Sequence, residues 1–154
     1  LVKNTDGVVI ANDNSAAQVV ISGNPEAVKS VSDQLTYKRA IPLAVSGAFH
    51  SPLMAEASAA FNLHLEGLTF KDARFPVLSN TDPTPCSDAS QLKHRLSQQM
   101  TTGVRWRETM ETLTSAGVDT LIEVGPGNVL SGLAKRAMAG VTTAQLSSSA
   151  DLGL

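Results

Sequence analysis

The stretch "VDTLIEVGPGNVLSGLAKRAMAGVTTAQLS", from Val118 to Ser147, constrains the fold more than any other part of the chain. An apolar run, a turn of two glycines around a proline, a segment of helical spacing and a second apolar run predict strand, turn, helix and strand in succession. The residues before it have the same texture. "FPVLSN" predicts a short buried strand. "SDASQLKHRLSQQM" predicts a helix over 88–100, with Leu92, Leu96 and Met100 on one stripe. "RWRETMETLTSAG" predicts another, with Trp106, Met110 and Leu113 inward and Gly117 as its stop. Helices alternating with short apolar strands predict an α/β protein with a parallel sheet covered on both faces.

The first 46 residues read differently. "GVVIAN" and "AAQVVIS" are β-branched runs separated by the turn-forming "DNSA", which predicts a hairpin. "GNPEAVKSVSDQL" predicts a helix capped by Asn24, with Pro25 at its first position and Val28, Val31 and Leu35 on one face. "AIPLAVSGA" predicts a strand that tolerates Pro42 only at its start or on an edge. Strand, strand, helix, strand is half of a split βαβ module. From Ser51 onward, "SPLMAEASAAFNLHLEGL" predicts a helix with Ser51 as cap, Pro52 at its first position and Leu53, Ala57, Phe61, Leu65 and Leu68 on the packed stripe.

Composition removes several classes of function. A net charge of −2, with lysines and arginines scattered singly, gives no footprint for nucleic acid. No window holds the ~18 apolar residues of a membrane span. The N-terminal "LVKNTDG" lacks the layout of a signal peptide, so a soluble, cytoplasmic protein is expected. The single Cys86 and three scattered histidines make neither a disulfide nor a metal site. The chain begins at Leu1, and is expected to be a piece of a longer protein.

No motif carries a nucleophile. Ser22, Ser46 and Ser131 each precede a glycine but lack the one two residues before, so there is no G-x-S-x-G turn. "GPGN" has neither the Lys-Ser/Thr of a P-loop nor the third glycine of a dinucleotide fingerprint, and reads as a tight connection or as amides near an active-site mouth. His50, in "AVSGAFHSPLM", is more informative. It directly precedes the Ser51 cap, facing the unpaired N–H groups and positive end of the following helix, an environment that suits a neutral imidazole base. A base of this kind needs a partner to fix its tautomer. Gln99 falls in the last turn of the 88–100 helix, where backbone carbonyls lack intrahelical donors, and its carbonyl can do what a carboxylate does in a serine triad. On spacing alone, a partly exposed histidine at a strand end is the plainer reading. His64 and His94 read as surface residues. Asn12, Asn14 and Asn80 end strands, where α/β proteins place ligand contacts, although such residues are commonly turn formers.

Five motifs, "ANDNSAAQVVISG", "IPLAVSGAFHSPLM", "FPVLSNTD", "QQMTTGVRW" and "LIEVGPGNVLSGLAKR", run in one order from about Gly7 to Ser147. In that order and spacing they resemble the C-terminal half of bacterial malonyl-CoA:acyl carrier protein transacylases. The resemblance implies an α/β hydrolase-like large subdomain, here residues 47–154, and the second half of an inserted ferredoxin-like subdomain, here residues 1–46. It implies transfer of a malonyl group from malonyl-CoA to the phosphopantetheine thiol of acyl carrier protein, through an acyl-serine, in fatty-acid synthesis. The only cofactor-like molecule implied is the coenzyme A thioester substrate, with no permanently bound cofactor.

By the same resemblance His50 is the general base and the carbonyl of Gln99 its orienter. Phe49 fills the space that an α-methyl branch on the acyl group would need, and Asn14 and Asn80 line the acyl and pantetheine path. The family's nucleophilic serine, the oxyanion-hole glutamine and the malonyl-binding arginine belong to the N-terminal half, which is not among these residues. The chain alone is therefore expected to be inactive and to seek a partner carrying that half. Two alternatives stay open: a non-enzymatic module that docks a carrier protein, and a polyketide-type acyltransferase of other acyl specificity.

Overall fold

The computed structural model describes residues 1–152. The fold is α/β, and the chain groups into two compact units, residues 1–106 and the residues from Arg107 on.

In the first unit, β1 (Val8–Ser15) and β2 (Gln18–Gly23) form the expected antiparallel hairpin, with register shifts at Ala11 and Asn14. An extra residue on one strand of a pair bends it and frees backbone groups from the ladder. Here the freed groups are used: Ala11 O accepts from Val104 N at 2.7 Å and Asp13 N donates to Val104 O at 2.8 Å. Helix α1 (Pro25–Gln34) follows, and Asn24 caps it through a 2.9 Å bond from the Glu26 N–H. Val31 is its buried anchor, while Leu35 at its end is exposed.

The strand expected in "AIPLAVSGA" does not form. This segment is unpaired, with Ile41, Leu43 and Val45 all more than half exposed. Pro42 has no N–H to give a ladder, and no described strand lies against the segment to receive the rest. "FPVLSN" is reduced to a single antiparallel bridge between Val77 and Cys86, because only two backbone bonds join that pair.

Helix α2 (Ala55–Glu66) starts after a separate 3-10 turn, Pro52–Met54, which Ser51 caps. The tighter turn changes the phase of the helix. Ser58 and Leu65 are buried, with Phe61 half-buried between them, whereas Leu53, Ala57 and Leu68 of the expected stripe are exposed. Helix α3 (Ala89–Gln98) packs on α2.

The second unit contains most of α4 (Trp106–Ser115), followed by β3 (Thr120–Val124), α5 (Val129–Ala137) and β4 (Thr142–Leu146). Strands β3 and β4 pair in parallel, Thr120 opposite Thr142 through Val124 opposite Leu146. This is the strand, turn, helix and strand that the sequence predicts. The sheet is covered on one face only: α5 packs against both strands, while Ile122 and Val124, which alternate with the inward Leu121 and Glu123, are 56% and 77% exposed. Met110, Leu133, Ala134 and Met138 are the buried apolar residues of this unit.

Candidate active site

His50 has the only positive backbone φ among the described non-glycine residues, +60°. A left-handed conformation costs a β-carbon-bearing residue on the order of 1–3 kcal/mol and persists only where neighbouring structure over-determines it. Here one turn of chain after α3 supplies the constraint. The His50 N–H donates to Met100 O at 3.0 Å, and the ring Nδ1 lies 2.8 Å from Gln99 O and 3.2 Å from Thr102 O. Each such bond is worth about 0.5–1.5 kcal/mol net, so two or three of them offset the strain.

Nδ1 faces two carbonyl oxygens, which can only accept, so Nδ1 carries a hydrogen, and in the neutral form of the ring the lone pair is on Nε2. Among the described residues Nε2 makes no hydrogen bond. The carbonyls are available for a local reason. Gln99 is the C-cap of α3, and the amides of Thr101 and Thr102 both turn back to Gln98 O. That leaves the carbonyls of Gln99, Met100 and Thr102 without helical donors.

Three sets of contacts fix α3 and the segment that follows it. Asp88 caps the other end of α3, accepting from Gln91 N at 2.8 Å and from the Ser90 hydroxyl at 2.6 Å, and these bonds hold its carboxyl below the ordinary carboxylate value. Arg95, 8% exposed, crosses from α3 to the 82–84 loop, reaching Thr84 O at 2.7 Å and the Asp82 carboxylate at 2.9 Å. Bonds from the Thr84 hydroxyl and amide, with Arg95 beside it, lower the Asp82 carboxyl. Finally, the pairing of Val104 with β1 brings Gly103 so close that a β-carbon there would lie 2.5 Å from Ile10 O. Only glycine permits that approach. A cavity of about 460 Å³ beside α3 includes Arg95 and Asp82 in its lining, but these charges are already paired with each other.

Of the residues singled out from sequence, the structure brings His50 and Gln99 into contact. Phe49 is adjacent and 47% exposed, its ring folded over Gly47, where an added β-carbon would lie 3.4 Å from the ring. Asn14 sits at the second register shift of β1, and Asn80 is exposed in a bend whose carbonyl accepts from Arg105 N at 2.9 Å. Among the described residues neither is hydrogen-bonded to His50. Sequence reasoning missed Thr102 and Met100 as partners of His50, although both stand in the quoted "QQMTTGVRW". It also missed Glu123. Its carboxylate receives the Leu130 N–H at 3.1 Å and the Ser131 N–H at 2.8 Å, and so caps α5 where Asn128 makes no side-chain cap. The Ser131 and Leu130 amides hold the Glu123 carboxyl below its ordinary value, while the buried Ser131 hydroxyl makes no hydrogen bond. The signal was an acid two residues before a Gly-Pro-Gly turn. Among the described residues no cluster of His, Cys, Asp and Glu is placed to hold a metal ion, and no helix is long and apolar enough to cross a membrane.

An imidazole held through Nδ1 by backbone carbonyls leaves Nε2 as the ring atom able to accept a proton. Residues 1–151 match the acyl transferase domain, and the chain belongs to that family. Among curated proteins it is similar to the malonyl CoA-acyl carrier protein transacylase of Synechocystis sp., 52% identical over 136 residues that cover 88% of this chain and 46% of the relative. The crystal structure of the Synechocystis malonyl-CoA:ACP transacylase matches with a TM-score of 0.93 at 46% identity, over 99% of this chain and 52% of that one. A malonyl-transacylase in complex with a type II PKS acyl-carrier protein matches with a TM-score of 0.86 at 41% identity, over 94% of this chain and 48% of that one. The chain spans about half the length of the relatives it matches.

Proposed function

We propose that this chain supplies the base half of an acyltransferase site that moves a malonyl group from malonyl-CoA to the phosphopantetheine thiol of an acyl carrier protein, in fatty-acid synthesis. The observation that carries the reading is the 2.8 Å contact between His50 Nδ1 and Gln99 O, with Nε2 open. A carbonyl cannot take a proton, so Gln99 fixes the ring while Nε2 does the transfer.

In the first half-reaction Nε2 removes the proton of a serine hydroxyl as its oxygen attacks the thioester carbonyl. The C–S bond breaks and His50 returns that proton to the coenzyme A sulfur. In the second, Nε2 takes the proton of the pantetheine thiol, sulfur attacks the acyl-serine, and the proton goes back to the serine oxygen. Phe49 beside the base limits the space at the acyl α-carbon, and Asn14 and Asn80 line the path of the acyl and pantetheine groups. The relative described in complex with a type II PKS acyl-carrier protein supports a carrier protein as acceptor, of either the fatty-acid or the polyketide kind.

The serine is not among these 154 residues in a G-x-S-x-G turn. We assign it to a polypeptide that corresponds to the remaining half of the relatives, together with the oxyanion-hole glutamine and the malonyl-binding arginine. Within that assembly residues 1–46 belong to a ferredoxin-like subdomain and residues 47–154 to an α/β hydrolase-like one. The unpaired apolar segment 40–45 and the bare face of β3 and β4 support this reading, since a monomer does not ordinarily leave strands open on one side. The test is transfer of labelled malonyl-CoA to carrier protein. The chain alone is expected to give none, and the chain mixed with the complementary half of the Synechocystis relative is expected to give turnover. Turnover by the chain alone would remove the division of the site.

A further inference from the structure

Ser51 is buried, 1% exposed, directly after the one described non-glycine residue with a positive φ. As the cap of a three-residue 3-10 turn it needs only to accept the Leu53 N–H, and that bond is long, 3.3 Å. Its short bond runs the other way. The Ser51 hydroxyl donates to Ala48 O at 2.6 Å, so one oxygen joins residue 48, upstream of His50, to residue 53, downstream of it. The residue spanned by this strap is the one held at φ +60°.

We infer that Ser51 is a positioning residue for His50: its hydroxyl closes the backbone around the histidine in the left-handed conformation that presents Nδ1 to Gln99 O and Thr102 O. The Gln99 and Thr102 carbonyls receive the ring while Met100 O accepts the His50 backbone N–H, and the strap aims the ring at its two acceptors. A hydroxyl is needed because it donates and accepts at once, which no apolar side chain of that size can do. Buried without partners it would be unfavourable, so its two bonds account for its place as well as its role. The inference rests on the assignment of His50 as the base, and extends that assignment to the adjacent position.

The test uses the whole chain labelled with ¹⁵N-histidine, and reads the His50 ring by long-range ¹H–¹⁵N spectra, with His64 and His94 as exposed internal references. Wild type is expected to show one tautomer, protonated at Nδ1. Ser51→Ala is expected to show the tautomer mixture of an untethered imidazole. Ser58→Ala, which removes another buried hydroxyl of the same unit, bonded to Ser97 O at 3.5 Å, is expected to leave His50 unchanged. Amide spectra establish that each variant is folded. In the assembled transferase, Ser51→Ala is expected to lower kcat by roughly a hundredfold, the loss expected of a misaimed catalytic group, with little change in KM. A retained Nδ1–H tautomer in folded Ser51→Ala overturns the inference, as does an equal loss of the tautomer in Ser58→Ala. A lost tautomer with unchanged transfer leaves Ser51 as the residue that aims His50 and overturns the assignment of His50 as the base.

Discussion

Replacing Gly103 by alanine separates the structural support of the site from its chemistry. The new β-carbon would lie 2.5 Å from Ile10 O, where ordinary contact begins at 3.4 Å, so the two segments must part by about 0.9 Å (3.4 − 2.5). The neighbouring bonds, Val104 N to Ala11 O at 2.7 Å and Asp13 N to Val104 O at 2.8 Å, would open to about 3.6 Å, beyond hydrogen-bond range. Two lost backbone bonds cost about 1–3 kcal/mol together. The same segment carries the Met100 and Thr102 carbonyls that hold His50, so the ring loses its seat as the strand moves. Urea denaturation followed by circular dichroism and by the fluorescence of Trp106, the single tryptophan, three residues away, measures the stability. The His50 ring spectra report the seat. Unchanged stability together with an unchanged His50 tautomer would refute the claim that the pairing of β1 with Val104 fixes the His50 ring.

Three further outcomes are expected. Glu123→Gln removes a charged cap from α5. The Glu123 carboxyl is held below its ordinary value, so its stabilisation is present above the unfolded carboxylate range near 4.5 and fades as pH falls through the lower folded value. The urea midpoint of the variant should therefore fall below wild type at pH 7 and approach it as the pH falls below the folded Glu123 value; equal midpoints at pH 7 would contradict the cap. Phe49→Ser in the assembled enzyme should admit methylmalonyl-CoA more readily, by the ~1–3 kcal/mol that one methyl group is worth in a pocket, read as the ratio of kcat/KM for the two substrates. Asp88→Ala should fray the start of α3, seen as faster amide exchange in residues 89–92, and unaltered exchange would mean that Arg95 alone anchors the helix.

Much of the site was legible because it is made of helix ends. Ser51 before Pro52 marks a start, and Gln99 falls where a helix runs out of donors, so two rules of termini pointed to the contact between His50 and the Gln99 carbonyl, although spacing alone left a partly exposed histidine as the plainer reading. The strand, Gly-Pro-Gly turn, helix and strand after Val118 were legible for a similar reason, since each piece carries its own local signal. What failed depended on partners or on phase. "AIPLAV" has strand composition, but a strand exists only when another accepts its bonds. The packed stripe of α2 was misplaced because a 3-10 turn precedes it, and a change of pitch over three residues turns every later side chain to a new direction. Thr102 and Gly103 were hidden because their roles lie in a carbonyl and a missing β-carbon, which no residue pattern announces.

The most direct measurement is the rate of malonyl transfer from malonyl-CoA to carrier protein by the assembled enzyme with His50→Ala against wild type. A general base removed from such a pair should lower kcat by about 10²–10⁴-fold or more, while amide spectra show the turn at 98–102 intact. Transfer at near the wild-type rate would contradict the account, because an imidazole held by the Gln99 carbonyl with Nε2 open would then have no part in the reaction.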